Sequence, residues 1–249
     1  MIKAIVKREL KAYFDSPVAY VFLVIFLLLA GVFTFTFGQF FERGEASLGS
    51  FFTWLPWLFL FLVPAVGMRL WAEERRQGTM ELLLTMPITV WQAILAKFLA
   101  SWLFLGIALA LTFPIWFTVN WLGKPDNGVI LGAYIGSWLL AGAYLAITSM
   151  TSAMTRNQVI SFIVAVVLCL ALILLGFTPI TDLLGRYAGP NVVEGVASFG
   201  VLSLSSIPVL QSIGSTVAAG AFLTLLLAAI QFPRGEHQRA HHHRHSKPG

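Results

Sequence analysis

The chain has 249 residues, of which 58% are hydrophobic and 11% are charged, and its formal net charge at pH 7 is +5. An ordinary soluble domain has about 25% charged residues, so this composition excludes a soluble globular protein and predicts a polytopic membrane protein. The single cysteine, Cys169, excludes a disulfide framework and a cysteine metal site. The sequence also lacks a Gly-rich phosphate loop followed by Lys-Ser or Lys-Thr, which excludes P-loop binding of ATP by this chain.

Residues 1–15 have the pattern of an amphipathic helix, with apolar and basic side chains at helical spacing. A basic face suits anionic lipid headgroups, so we expect this helix to lie on the inner leaflet and to end at Ser16. The residues that mark this interfacial helix are Lys7, Arg8, Tyr13, Phe14 and Pro17. The alternative is an ordinary basic flank that only orients the chain in the membrane.

Six stretches are long and apolar enough to cross a bilayer as helices, which takes about 20 residues each. They are residues 18–38, 51–68, 98–119, 130–152, 159–177 and 209–232. An even number of spans places both termini on one side, and that side carries thirteen of the 16 Lys and Arg residues. Basic residues are retained in the cytoplasm, so both termini are predicted to be cytoplasmic. The basic balance reflects this asymmetry, and we expect no nucleic-acid partner.

The predicted spans contain no Asp, Glu, Lys, Arg or His. Ion-coupled carriers and pumps place such residues at membrane depth, so a carrier or a passive channel is disfavoured. The polar residues within the spans carry hydroxyl and amide groups, which we expect to bond neighbouring helices and backbone carbonyls. Pro56, Pro64 and Pro114 predict bends in spans two and three. Gly132 and Gly136 form a GxxxG pair that permits close helix approach.

The stretch between spans two and three mixes charged and apolar residues and is punctuated by turn signals. After the acidic pair Glu73 and Glu74, Gly78 can supply a left-handed helix end. Thr79 can cap a new short helix, and Glu81 near its start complements the helix dipole. Pro87 forbids continuation, so a helix of about two turns is predicted over residues 79–86.

This short helix has an apolar face made by Leu82, Leu83 and Met86. Each fully buried side chain of this kind contributes roughly 1.5 to 3 kcal/mol, so the face requires a groove in the protein itself or in a partner. Thr89 to Gln92 has the Thr-x-x-Gln form of a capping box, which predicts the start of the helix that continues into span three.

The sequence over residues 69–87, Arg-x-x-x-Glu-Glu-Arg-x-x-Gly-Thr-x-Glu-Leu-Leu-Leu-x-x-Pro, resembles the permease subunits of type 2 ATP-binding-cassette exporters, the ABC-2 permeases. The N-terminal Lys-Arg-Glu-Leu and Tyr-Phe-Asp-Ser-Pro stretches are similar to the same family, and more narrowly to its gliding-motility and copper-enzyme-maturation branch. The resemblance covers roughly residues 1–200.

The resemblance implies that residues 79–86 are the coupling helix, which in that family sits in a cleft of the ATP-binding subunit. Glu73, Glu74 and Glu81 would then contact basic groups of that partner. The implied transporter contains two permeases, either a homodimer or this chain with a related permease, and two ATP-binding subunits that hold the ATP and Mg. It would export a substrate across the bacterial inner membrane, with a possible accessory membrane protein. No cofactor is expected in this chain.

The C-terminal part departs from the family pattern. We expect residues 1–232 to form one transmembrane domain and residues 233–249 to be a disordered basic His-rich tail. The unusual composition from about Leu204 points either to natural divergence or to an altered reading frame.

A different class of function stays open as well, in which the chain is a membrane anchor or scaffold that transports nothing and recruits a cytoplasmic partner through the same short helix.

Overall fold

The computed structural model describes residues 2–38, 48–72, 78, 90–155 and 157–175, and this part of the chain is helical without a strand. The α-helices are α1 (Ile2–Asp15), α2 (Pro17–Val32), α3 (Gly49–Gly67), α4 (Val90–Ala110), α5 (Phe113–Leu122), α6 (Asn127–Met154) and α7 (Gln158–Leu175). A π-helical turn, Phe33–Phe37, extends α2, and helical residues continue after α3 to Ala72.

Among the described residues, four helical stretches are long and apolar enough to cross a membrane. They are Pro17–Phe37, Gly49–Ala72, Trp91–Leu122 and Asn127–Met154. They coincide with the first four predicted spans, and the shorter apolar helix α7 coincides with the described part of the fifth. The sixth predicted span and the His-rich tail lie outside the described residues. The total of six spans and the cytoplasmic location of the termini therefore remain predictions.

Local sequence signals explain where the helices begin. Ser16 separates α1 from α2, and its hydroxyl accepts a hydrogen bond from the Val18 backbone N–H at 3.4 Å. Pro17 then occupies the first turn of α2, where its missing N–H leaves no helical bond unmade. At the start of α6, Asp126 Oδ1 accepts from the Gly128 N–H at 2.9 Å, as expected for an N-cap carboxylate.

The prolines have different effects in the two spans where bends were predicted. α3 continues through Pro56 and Pro64 without interruption. The third membrane helix is interrupted between α4 and α5, where Thr112 donates to the Leu109 carbonyl at 2.6 Å just before Pro114. The Thr112 hydroxyl also lies 3.0 Å from the Tyr134 hydroxyl of α6, so this break is tied to the neighbouring span.

The core forms where α3 packs against α6 and α7, while α1 packs against α4. Val63, Tyr144 and Ile173, from three different helices, are each fully buried. α3 and α6 approach closely at Gly67, where an added Cβ would lie 2.6 Å from Thr148 Cγ2. Within the described residues, no atom lies near a Cβ added at Gly132, so this member of the predicted GxxxG pair makes no close helix contact, whereas Gly136 is buried.

Several hydroxyl groups of the spans bond backbone carbonyls one turn earlier in their own helix. Ser101 donates to the Lys97 carbonyl at 2.9 Å, Ser137 to the Ala133 carbonyl at 2.7 Å, and Thr148 to the Tyr144 carbonyl at 2.7 Å. These bonds satisfy the hydroxyl groups where water is absent. They accord with the expectation that these residues serve packing.

Candidate functional site

The predicted coupling segment joins two membrane helices at one end of the bundle. The described part of the second membrane helix reaches Ala72, and α4 is described from Val90 onward. Gly78 between them is exposed and has a φ of +71°, in the left-handed region that few residues other than glycine adopt. The other residues predicted to couple to an ATPase lie outside the described residues, and their roles remain predictions: Glu73, Glu74, Thr79, Glu81, Leu82, Leu83, Met86 and Pro87.

The end of the second membrane helix is fixed to α6 by one serine. The Ser152 hydroxyl accepts hydrogen bonds from the backbone N–H groups of Trp71 at 3.1 Å and Ala72 at 3.0 Å. It donates to the Met68 carbonyl at 2.9 Å. Ser152 is fully buried, so no water can take over its hydrogen bonds to these backbone groups. Ala72, the last described residue before the coupling segment, is therefore held against α6. Sequence reasoning missed Ser152, because only the packed structure brings it to Trp71.

The N-terminal helix is held to the start of the third membrane helix by a hydrogen bond and by stacked rings. The Tyr13 hydroxyl lies 2.8 Å from Ser101 Oγ, and its ring stacks on Phe104 with centroids 5.2 Å apart. Loss of water around the hydroxyl raises the pKa of Tyr13, an effect that the bond to Ser101 opposes. Tyr13 is therefore neutral at pH 7. Phe14 adds an edge contact with Phe104 at 5.8 Å.

A partly buried ion pair supports the same contact. Lys97 Nζ lies 3.5 Å from Glu9 Oε2, and the two side chains are 13% and 21% exposed. Lys97 also lies 5.8 Å from the centroid of the Trp71 ring, a distance at which a cation is attracted by the ring. Lys97 thus connects α1, α4 and the end of the second membrane helix. The sequence carried no signal for this role, because Lys97 was only one of the thirteen basic residues on the predicted cytoplasmic side.

The residues predicted to mark the interfacial helix fall on two faces of α1 and at the start of α2. Tyr13 and Phe14 face α4, whereas Lys7 and Arg8 are exposed. Arg8 pairs with its neighbour Glu9 at 3.3 Å, and Pro17 is an exposed residue at the start of α2. This distribution is the one expected for an amphipathic helix with a basic outer face. Its position on a membrane surface remains a prediction.

Comparison with known proteins identifies the family. A family model described as "ABC-2 family transporter protein" matches residues 41–229, about three quarters of the chain. No curated protein matches the chain. The family match includes the segment between the second and third membrane helices and continues past Leu204. The chain belongs to the ABC-2 transporter family and is a multi-pass membrane component of the permease type.

Proposed function

We propose that this chain is the permease subunit of an ATP-binding-cassette exporter and that a separate ATP-binding subunit supplies the energy. The family match over residues 41–229 carries this proposal, because it includes the segment predicted to couple to the ATPase. Because this sequence has no P-loop motif, the proposal assigns ATP binding to a separate subunit. The narrower proposal is a member of the gliding-motility and copper-enzyme-maturation branch in a bacterial inner membrane, with the N-terminus in the cytoplasm.

In the proposed mechanism, the ATP-binding subunit holds the short helix over residues 79–86 and moves it when ATP is bound and hydrolysed. Leu82, Leu83 and Met86 provide apolar contact with the cleft of the partner. Gly78 and Pro87 set the ends of the helix. The acidic groups that contact basic residues of the partner are Glu73, Glu74 and Glu81.

The contacts of the described residues provide a route for this movement into the membrane. Displacement of the coupling segment acts on Ala72 at one end and on Val90 at the other. Ser152 passes the first displacement to α6, and the Glu9–Lys97 pair passes the second to α1. A second permease copy, identical or related, completes the pathway through which the substrate moves.

The partner subunit is tested by isolating the chain in mild detergent from its native membrane and identifying the accompanying proteins by mass spectrometry. We expect a stoichiometric P-loop ATPase that is lost from the double variant L82D/L83D, since buried carboxylates oppose an apolar contact. The matched control is W121D/L122D, which alters two exposed apolar residues at the end of α5 and should retain the ATPase.

Absence of an ATPase in several detergents would contradict the permease proposal. Retention of the ATPase by L82D/L83D would refute the role of the short helix. An anchor or scaffold would retain a partner but move no substrate, and ATP-dependent movement of substrate into sealed vesicles separates it from a permease.

A further inference from the structure

A cavity lies between α1, α2, α3 and the start of α4. Its volume is about 610 Å³, within the roughly 300–1,000 Å³ typical of small-molecule sites. One end is polar and is formed by Glu9, Tyr13, Arg69 and Lys97. The proposed coupling mechanism involves the Glu9–Lys97 pair at the polar end but assigns no role to the cavity itself.

The rest of the cavity is an apolar channel between two helices. On one side lie Leu62 and Ala65 of α3, one turn apart, and Arg69 lies one turn further along the same membrane helix. On the other side lie Val18, Val21 and Ile25 of α2, which are 48%, 57% and 45% exposed. Within the described residues this side of the cavity is therefore uncovered, and we infer that it faces the hydrocarbon of the bilayer.

The polar end carries an excess of positive charge. Lys97 and Arg69 provide two cations, and Glu9 provides one carboxylate, which pairs with Lys97. Arg69 is exposed and makes no ion pair with any residue that the structure describes. A guanidinium group in this position matches a phosphate, with which it forms two parallel hydrogen bonds. Basic pockets between membrane helices on the cytoplasmic side bind anionic lipid headgroups in this manner.

We propose that the cavity binds one anionic phospholipid of the surrounding leaflet, with its phosphate at Arg69 and one acyl chain between α2 and α3. A soluble anion would use only the polar end and would leave the apolar channel empty. An acyl chain gains little from leaving one hydrocarbon environment for another, so the net charge of the headgroup beside Arg69 and Lys97 decides which lipid is bound. Bound lipid also fills the space beside Tyr13 and supports the packing of α1 on α4.

The test uses the full-length chain as the complex isolated from its membrane, stripped of lipid and titrated in detergent with phosphatidylglycerol or phosphatidylcholine. Native mass spectrometry counts the lipids bound. We expect one tightly bound phosphatidylglycerol per chain and at least about tenfold weaker binding of phosphatidylcholine, which has the same phosphate but places a choline cation beside Arg69 and Lys97. Equal binding of the two lipids would overturn the proposal. This comparison requires no variant.

Two pairs of variants locate the bound lipid. R69Q should weaken phosphatidylglycerol binding by about tenfold, whereas K11Q removes an exposed charge from α1 outside the cavity and should not. A65F should fill the channel and block binding, whereas A110F places the same side chain at an exposed position of α4. Equal losses in R69Q and K11Q would show diffuse attraction to the basic surface and would overturn the proposal.

A competition experiment distinguishes a bound lipid from a soluble anion that carries the same phosphate group. Glycerol 3-phosphate, added in large excess to the unaltered complex, should not displace phosphatidylglycerol, because the acyl chains keep the lipid in the micelle beside the cavity at a high effective concentration that a soluble anion lacks. Displacement would show that the polar end is a site for a soluble anion and would refute lipid binding.

Discussion

Two tryptophans lock the crossing of α4 and α6. The rings of Trp102 and Trp138 stack with centroids 4.3 Å apart and planes at 11°. Each indole N–H donates to the backbone carbonyl of the other tryptophan, at 2.9 Å and 3.1 Å. The Trp138 ring lies against Gly106, four residues after Trp102 in α4. The Trp102 ring lies against Gly142, four residues after Trp138 in α6. The two Trp-x-x-x-Gly stretches thus form a reciprocal contact.

This contact predicts that Gly106→Ala and Gly142→Ala destabilise the protein by about 1–3 kcal/mol each, as overpacking does elsewhere. A Cβ at Gly106 would lie 2.7 Å from Trp138 Nε1, and one at Gly142 would lie 2.8 Å from Trp102 Nε1. Thermal unfolding in detergent, followed by tryptophan fluorescence, measures the effect.

Gly132→Ala is the matched control, since it lies in the same helix as Gly142 with open space around it. This control should be neutral, or stabilising by roughly 0.5–1 kcal/mol because alanine is the better helix former. Equal melting temperatures for Gly142→Ala and Gly132→Ala would contradict the close packing described for the tryptophan pair.

At the scale of helices, the extent of an element was easier to predict than its orientation. The Ser16–Pro17 break between α1 and α2 follows from local capping chemistry, and the first four spans follow from apolar length. Helices that are apolar around their circumference give no periodic signal for the face they bury. The Tyr13–Ser101 bond and the contacts of Ser152 therefore emerged only from the packed structure.

The predicted effect of Ser152→Ala tests how the end of the second membrane helix is held. Removing this hydroxyl leaves the buried N–H groups of Trp71 and Ala72 without their acceptor, which should cost about 1–3 kcal/mol of stability. Hydrogen exchange should also rise in residues 68–72. The control is Ser149→Ala, one turn earlier in α6, because Ser149 is buried and, among the described residues, its hydroxyl bonds the Ala146 carbonyl of its own helix. Similar exchange in both variants would argue against Ser152 as the anchor.

At the scale of the whole molecule, we propose that movement of the ATP-binding subunit enters the permease at one end of its helical bundle. The family match and the four apolar helices place the chain in the membrane part of an ABC-2 transporter. The composition alone predicted the membrane class, and the motif over residues 69–87 indicated the family. The substrate could not be predicted, because the hydroxyl and aromatic groups of the spans suit lipids, glycans, peptides and hydrophobic drugs equally.

We propose that the segment over residues 79–86 couples this chain to an ATP-binding subunit. The most direct test of this coupling is the rate of ATP hydrolysis by the copurified ATPase in vesicles containing the unaltered chain, Glu81→Lys or the control Asp15→Lys. Asp15 is exposed at the end of α1, so the control reverses a charge outside the proposed contact. We expect Glu81→Lys to reduce stimulation by roughly tenfold or more, because a like-charge contact costs several kcal/mol, while insertion and the Asp15→Lys rate stay unchanged. Full stimulation by Glu81→Lys would contradict the account.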